Sequence, residues 1–164
     1  MIKAYSYQTF IGPITIIEND GHLVEIRFGD EKVEKAPSII EETAVIKKAI
    51  QQLDEYFRGE RKVFDLPLRP KGTEFQRRVW AALLSIPHGE TRSYKDLAIK
   101  IQNPKAYRAV GMANNKNPLP IVIPCHRVIG SNRKLIGYRG GLDIKEKLLG
   151  IENDQEYQSN RLKE

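Results

Sequence analysis

From Tyr5 to Phe28, apolar residues recur at short, mostly two-residue steps: Tyr5 and Tyr7, then Ile14 and Ile16, then Leu23, Ile26 and Phe28. A period near two places alternate side chains on opposite faces of a strand. Gly12 with Pro13, and Asn19 with Asp20 and Gly21, interrupt the pattern at turn-forming residues. Residues 2–29 therefore predict a meander of about three strands. Residues 30–40 are charged, contain Pro37 and read as a loop. From Glu42 the period lengthens. Ile46, Ala49, Ile50, Leu53 and Phe57 lie at i, i+3, i+4, i+7 and i+11, one stripe of a helix that Gly59 ends. Val63 to Leu68 reads as one further short strand.

A different pattern follows the linker Pro67 to Gly72. Thr73 with Gln76 forms a capping box that opens a helix to about Ser85, with Phe75, Val79, Leu83 and Ile86 on one face. Pro87, His88 and Gly89 stop it. Ser93 with Asp96 forms a second capping box, for a short helix to about Ile101. Asn103 reads as an N-cap with Pro104 at the first helical position, starting a third helix to about Asn114. Two short helices joined by a tight turn make a helix-turn-helix. The second bears Ala106, Ala109, Gly111 and Ala113, small residues that admit close approach of another helix or of a DNA groove. The pattern leaves both open. Residues 142–149 predict a last helix with Ile144 and Leu148 inward, Glu146 between them, and Gly150 as its end. Residues 152–164 read as a polar tail.

Charge divides the chain. Residues 1–71 carry 11 Lys and Arg against 12 Asp and Glu, whereas residues 72–150 carry 14 against 5. A basic excess confined to one half favours a polyanionic partner over a merely solubilising surface. No apolar run approaches a membrane span and no signal-peptide pattern opens the chain, so a cytoplasmic protein is expected. A lone cysteine rules out an internal disulfide, fits a reducing compartment and leaves too few ligands for zinc.

That cysteine, Cys125, sits in the most constrained stretch of the sequence. Pro118 and Pro120 precede the triplet Ile121, Val122 and Ile123; Pro124 abuts the cysteine and His126 follows it. Prolines fix φ and restrict their predecessors, so the stretch reads as a rigid seat for one thiol. A thiol attacks as thiolate, and a neighbouring base eases its formation. The alternative is a buried structural cysteine. Residues 136–141 then form a glycine-rich turn whose backbone N–H groups can face a ligand closely.

The ordered set Ser93 and Tyr94, Asn103 to Gly111, Asn117 and Pro118, and Ile123 to Val128, with the glycine-rich turn after it, resembles the O6-alkylguanine-DNA alkyltransferases (methylated-DNA–protein-cysteine methyltransferases) over residues 73–151. The first half resembles that family in layout only. The resemblance implies an α+β fold: a small antiparallel sheet plus helix, ribonuclease-H-like, over residues 1–70. A mainly helical, winged-helix-like domain over 71–151 would hold the helix-turn-helix, with 152–164 as a tail. It implies a DNA-repair protein in which Cys125 takes the alkyl group of O6-methylguanine irreversibly, once per molecule. No cofactor and no metal is implied. The partner would be double-stranded DNA containing O6-alkylguanine, bound by a monomer away from any membrane.

Residue by residue, the resemblance makes His126 the acceptor of the thiol proton through a water, and Glu146 the acid that orients the imidazole. Asn117 would brace the turn holding the cysteine. Tyr94 would donate to N3 of the departing guanine. Arg108 would fill the gap left by the flipped base. Val128 and Tyr138 would wall the base pocket, with the backbone at Arg139 facing O6. Gln76, Lys95, Asn103 and Ser131 would touch the DNA backbone. Met112 and Tyr107 depart from the small residues usual on the second helix, which bears on groove contact. A cysteine hydrolase fits less well, because its His lies far from Cys in sequence and no helix is expected to begin at Cys125. A non-catalytic DNA-binding module would leave Cys125 and His126 idle.

Overall fold

The computed structural model describes residues 1–29, 38–130, 138 and 140–153. Contacts divide the chain into two units, Met1–Lys71 and Gly72–Glu164.

In the first unit, β1 (Ile2–Thr9), β2 (Gly12–Asn19) and β3 (His22–Phe28) pair antiparallel in sequence order. Asp20 and Gly21 both take positive φ, 54° and 80°, the geometry of a two-residue hairpin turn that matches strand twist. A fourth strand, β4 (Ser38–Ile40), adds to β1 in parallel, giving the order β3-β2-β1-β4. The sheet is therefore mixed rather than purely antiparallel, and part of the expected loop 30–40 is strand. A three-residue edge strand is too short to show a period. Residues 30–37 lie outside the described residues.

Helix α1 (Ala44–Phe57) begins at Thr43, whose side chain accepts from Ile46 N, and buries Ile46, Ala49, Leu53 and Phe57. Tyr56 and Gln52 join them on the buried side. Residues 63–68 do not form the expected strand. Only Leu68 bridges to Leu23, through Leu23 N to Pro67 O (2.8 Å) and Arg69 N to Leu23 O (2.9 Å). Pro67 has no N–H to extend a ladder. Gln52 holds this segment instead, donating to Asp65 O and accepting from Asp65 N.

In the second unit, α2 (Glu74–Leu83) carries the full capping box between Thr73 and Gln76. Gly72 lies against Trp80 so closely that a Cβ there would come within 2.4 Å of the indole. The indole N–H donates to Ala113 O at 2.9 Å. Helix α3 (Tyr94–Lys100) carries the second capping box, Ser93 with Asp96. Helix α4 runs from Tyr107 to Asn115 and starts three residues later than expected from Asn103. Residues 103–106 form a turn, closed by Ala106 N to Asn103 O, and no side chain caps α4. Gln102, at φ 61°, and this turn redirect the chain before the new helix begins. β5 (Arg92–Ser93) pairs in parallel with β6 (Val128–Ile129).

The last helix, α5 (Leu142–Asn153), continues through Gly150 rather than ending there. Glycine inside a helix costs about 1 kcal/mol. Burial of Ile151 and the polar contacts of Glu152, one turn beyond Leu148, offset it. Glu152 and Asn153 are therefore helix, where a polar tail is expected from residue 152. Residues 154–164 lie outside the described residues.

Candidate active site

The proline-framed stretch does form a seat. Asn117, 1% exposed, donates to Ile123 O at 2.7 Å and accepts from Leu119 N at 3.0 Å, closing the loop from both ends. Inside it Ile121 takes φ +75°, an outlier for a β-branched residue. Such backbone costs about 1–3 kcal/mol and persists where its surroundings enforce it. Cys125 then begins a one-turn 3-10 helix, Cys125–Arg127, rather than lying on extended chain. The expectation that no helix begins at the cysteine is corrected on this point: a single 3-10 turn does. Cys125 is buried, at 4% exposure.

The turn gives adjacent residues distinct partners. His126 is fully buried, and its Nε2 lies 2.6 Å from Oε2 of Glu152. The acid partner is therefore Glu152, not Glu146. Glu146 lies on the exposed side of α5. The reason is angular: counted from the buried Leu148, Glu152 is at i+4 and shares its face, whereas Glu146 at i−2 points away.

Glu152 is held by more than His126. Arg127 donates from Nε (2.7 Å) and Nη2 (3.1 Å) to its two oxygens, and Gly89 N donates to Oε1 at 3.3 Å. Arg127 Nη1 also donates to Ile86 O at 2.7 Å. Burial alone would raise the Glu152 carboxyl. The hydrogen bond and charge of His126 and of Arg127 outweigh it and hold the group well below the usual carboxylate range. The permanent charge of Arg127 keeps Glu152 ionised whichever state His126 adopts. Burial, helped by the cations Arg127 and Lys145, pushes His126 below its ordinary value in spite of Glu152, so the imidazole is neutral near pH 7. With Nε2–H donated to Glu152, Nδ1 carries the lone pair and is the basic nitrogen.

Sequence reasoning missed Lys145. It is 0% exposed, and its ammonium donates to Val128 O at 2.6 Å. Burial lowers its pKa, and the nearby Cys125 charge opposes that. Lys145 stands at i−3 from Leu148, so the spacing that reveals Glu152 reveals it as well. Arg127 and Lys145 both count in the basic excess of this half, yet neither is at the surface.

The β5–β6 pair sets Arg92 opposite Val128 and Ser93 opposite Ile129, which brings Tyr94, the next residue, to the cysteine turn. Burial and the Cys125 charge push its phenol up, while a hydrogen bond with Asn114 lowers it. Val128, within this pair, is fully buried, and Tyr138 is half-buried. Ser131 and Arg139 lie outside the described residues.

The other expected contacts stand on the surface of the helix-turn-helix. Arg108, Lys95 and Asn103 are exposed. Tyr107 lies between two cations, with Lys95 Nζ 5.7 Å and the Arg108 guanidinium 6.0 Å from its ring centre. Met112 is 63% exposed, so the two large residues of α4 both face outward. Gln76 commits its carbonyl oxygen to the cap at Thr73 N, which leaves only its amide N–H groups for a partner. No described helix is long and apolar enough to cross a membrane.

This geometry joins a buried cysteine, an oriented neutral base and a buried cation in the unit that carries the helix-turn-helix. Residues 74–154 match the DNA-binding domain of 6-O-methylguanine DNA methyltransferase, and residues 2–70 match its ribonuclease-like domain. A methylated-DNA–protein-cysteine methyltransferase of Methanosarcina barkeri is 51% identical over 146 residues, 88% of this chain and 92% of its own. The constitutive enzyme of Bacillus subtilis is 47% identical, over 88% and 92%. Among solved structures, Mycobacterium tuberculosis OGT in complex with DNA superposes with a TM-score of 0.85 at 43% identity, covering 92% of each chain. The chain belongs to the 6-O-methylguanine DNA methyltransferase family.

Proposed function

We propose that this protein repairs duplex DNA by moving the alkyl group of O6-methylguanine to Cys125, acting as a monomer and once per molecule. The observation that carries the reading is the buried array in which Arg127 fixes Glu152, and Glu152 fixes His126, beside Cys125. His126 Nδ1 takes the thiol proton, relayed by a water. Lys145, within electrostatic reach of Cys125, favours the thiolate, and its bond to Val128 O braces the pocket wall. The sulfur attacks the methyl carbon in line; the new C–S bond forms as the C–O6 bond breaks, and the electron pair leaves with guanine. Tyr94 donates a proton towards N3 of that anion, so the base departs neutral, and the proton taken up by His126 is passed on through water to restore the phenol. The net exchange is one thiol proton for one methyl group, and the thioether is not turned over.

The target base is out of reach inside a duplex and has to be extruded, at a cost of a few kcal/mol. Arg108, exposed on α4, occupies the space it leaves, while Tyr138 and Val128 line the receiving pocket together with the backbone at Arg139. Lys95, Asn103, Gln76 and Ser131 contact the phosphates, and Asn117 keeps the cysteine loop closed. In this reading residues 1–70 support the unit that carries the chemistry.

The test is intact mass and peptide mapping after mixing the protein with an oligonucleotide carrying one O6-methylguanine. One added methyl per protein, on the Cys125 peptide, is expected. Tight lesion binding without a mass change would make the protein a lesion sensor instead.

A further inference from the structure

Helix α4 turns Val110, Ala113 and Asn114 inward. The first two are apolar. Asn114 is 2% exposed, and a buried primary amide is an expensive choice where a leucine would fill the space. Its Nδ2 makes a long contact of 3.4 Å to Cys125 O, and among the described residues its buried Oδ1 accepts no hydrogen bond. Stability therefore does not explain the residue.

Position does. Gly111 precedes Asn114 by three residues, so both lie on one face of α4. The Tyr94 ring rests on that face: a Cβ at Gly111 would stand 3.7 Å from its Cδ1 and Cε1. The Tyr94 phenol shares a hydrogen bond with Asn114, whose amide also reaches the cysteine turn. We propose that Asn114 is a positioning residue for alkyl transfer, its amide N–H groups bridging the Tyr94 phenol oxygen and the Cys125 carbonyl. Two consequences follow for the phenol. Accepting from Asn114 leaves its own O–H as the only proton to give and points it away from α4. The same N–H bond steadies the phenolate once that proton has gone, in keeping with the lowering effect of Asn114 on a phenol that burial raises. The inference rests on the reading of Tyr94 as donor to the leaving base.

A double-mutant cycle on Asn114→Leu and Tyr94→Phe tests it, with free O6-benzylguanine as alkyl donor so that DNA binding does not enter. Asn114→Leu is expected to slow transfer about tenfold while its melting temperature stays level or rises. In the Tyr94→Phe background the same substitution should cost less than about twofold. If Asn114→Leu slows transfer equally in both backgrounds, Asn114 does not act through Tyr94 and the assignment is overturned. If Tyr94→Phe alone leaves the rate unchanged, the donor reading of Tyr94 fails, and this inference with it. Asn114→Ala, which keeps α4 in a good helix former, repeats the cycle should the leucine variant not fold.

Discussion

The two units of this chain place charge in opposite ways. In the first, ion pairs ride on the surface: Lys3 with Glu41, Lys48 with Asp65 and Arg58 with Glu60 all keep substantial exposure. Among the described residues its buried polar side chains are Thr15, Glu18 and Gln52. Each completes a turn or pins backbone, as Glu18 does by accepting from Gly21 N at 2.8 Å. The second unit buries His126, Arg127, Lys145 and Glu152 around one cysteine. A buried pair often stabilises no better than apolar residues of the same volume, yet breaking one is costly. The first unit spends its polar groups on holding a fold. The second accepts a less economical interior, and in it an imidazole is held neutral beside a thiol.

The contrast is broken most directly at Glu152. Glu152→Gln removes the charge that faces Arg127 and orients His126. It is expected to slow methyl transfer about 10²-fold and to destabilise the unit by about 3–5 kcal/mol, read by single-turnover kinetics and denaturant melts. Glu146→Gln, six residues earlier on the exposed side of the same helix, should leave both within error. Equal losses from the two would contradict the assignment of Glu152 as the acid partner.

Acid should separate the units next. His126 has a folded pKa below its ordinary 6.5, so the unfolded chain takes up its proton first. The stability His126 contributes is complete above pH 6.5 and declines as the pH falls below it. Glu152 has a folded pKa depressed from 4.5, so its contribution is present above that value and is lost progressively below it. Melting temperature against pH should therefore show two successive declines, the lower one absent in Glu152→Gln. The rate of methyl transfer should keep its plateau to below pH 6.5, where the base first protonates. A rate already falling between pH 8 and 7 would mean that His126 is not held neutral.

The smallest effect lies in the first unit. Lys3→Ala removes one exposed partner of Glu41 and should change stability by about 0–1 kcal/mol, less in high salt. A loss as large as that from Glu152→Gln would erase the distinction between surface and interior charge.

What the sequence determined on its own is local. The capping boxes at Thr73 and Ser93, the α1 stripe, the Asp20–Gly21 hairpin and the proline frame around Cys125 involve residues a few positions apart, and chain geometry links such residues directly. The family resemblance over residues 73–151 rested on the same kind of contiguous motif. Tertiary structure decided the rest. β4 exists because β1 offers an edge, and α4 starts late because residues 103–106 close a turn before it. Above all, Glu152 is the partner of His126, 26 residues away, because packing carries α5 through Gly150. A glycine read locally ends a helix; the burial of Leu148 and Ile151 and the grip of Arg127 on Glu152 outweigh its roughly 1 kcal/mol preference. Neighbouring charged residues on one helix, Lys145 and Glu146, look alike in sequence. Which one faces the thiol is settled by the hundred degrees that separate them around the axis, and only the packed core fixes where that angle begins.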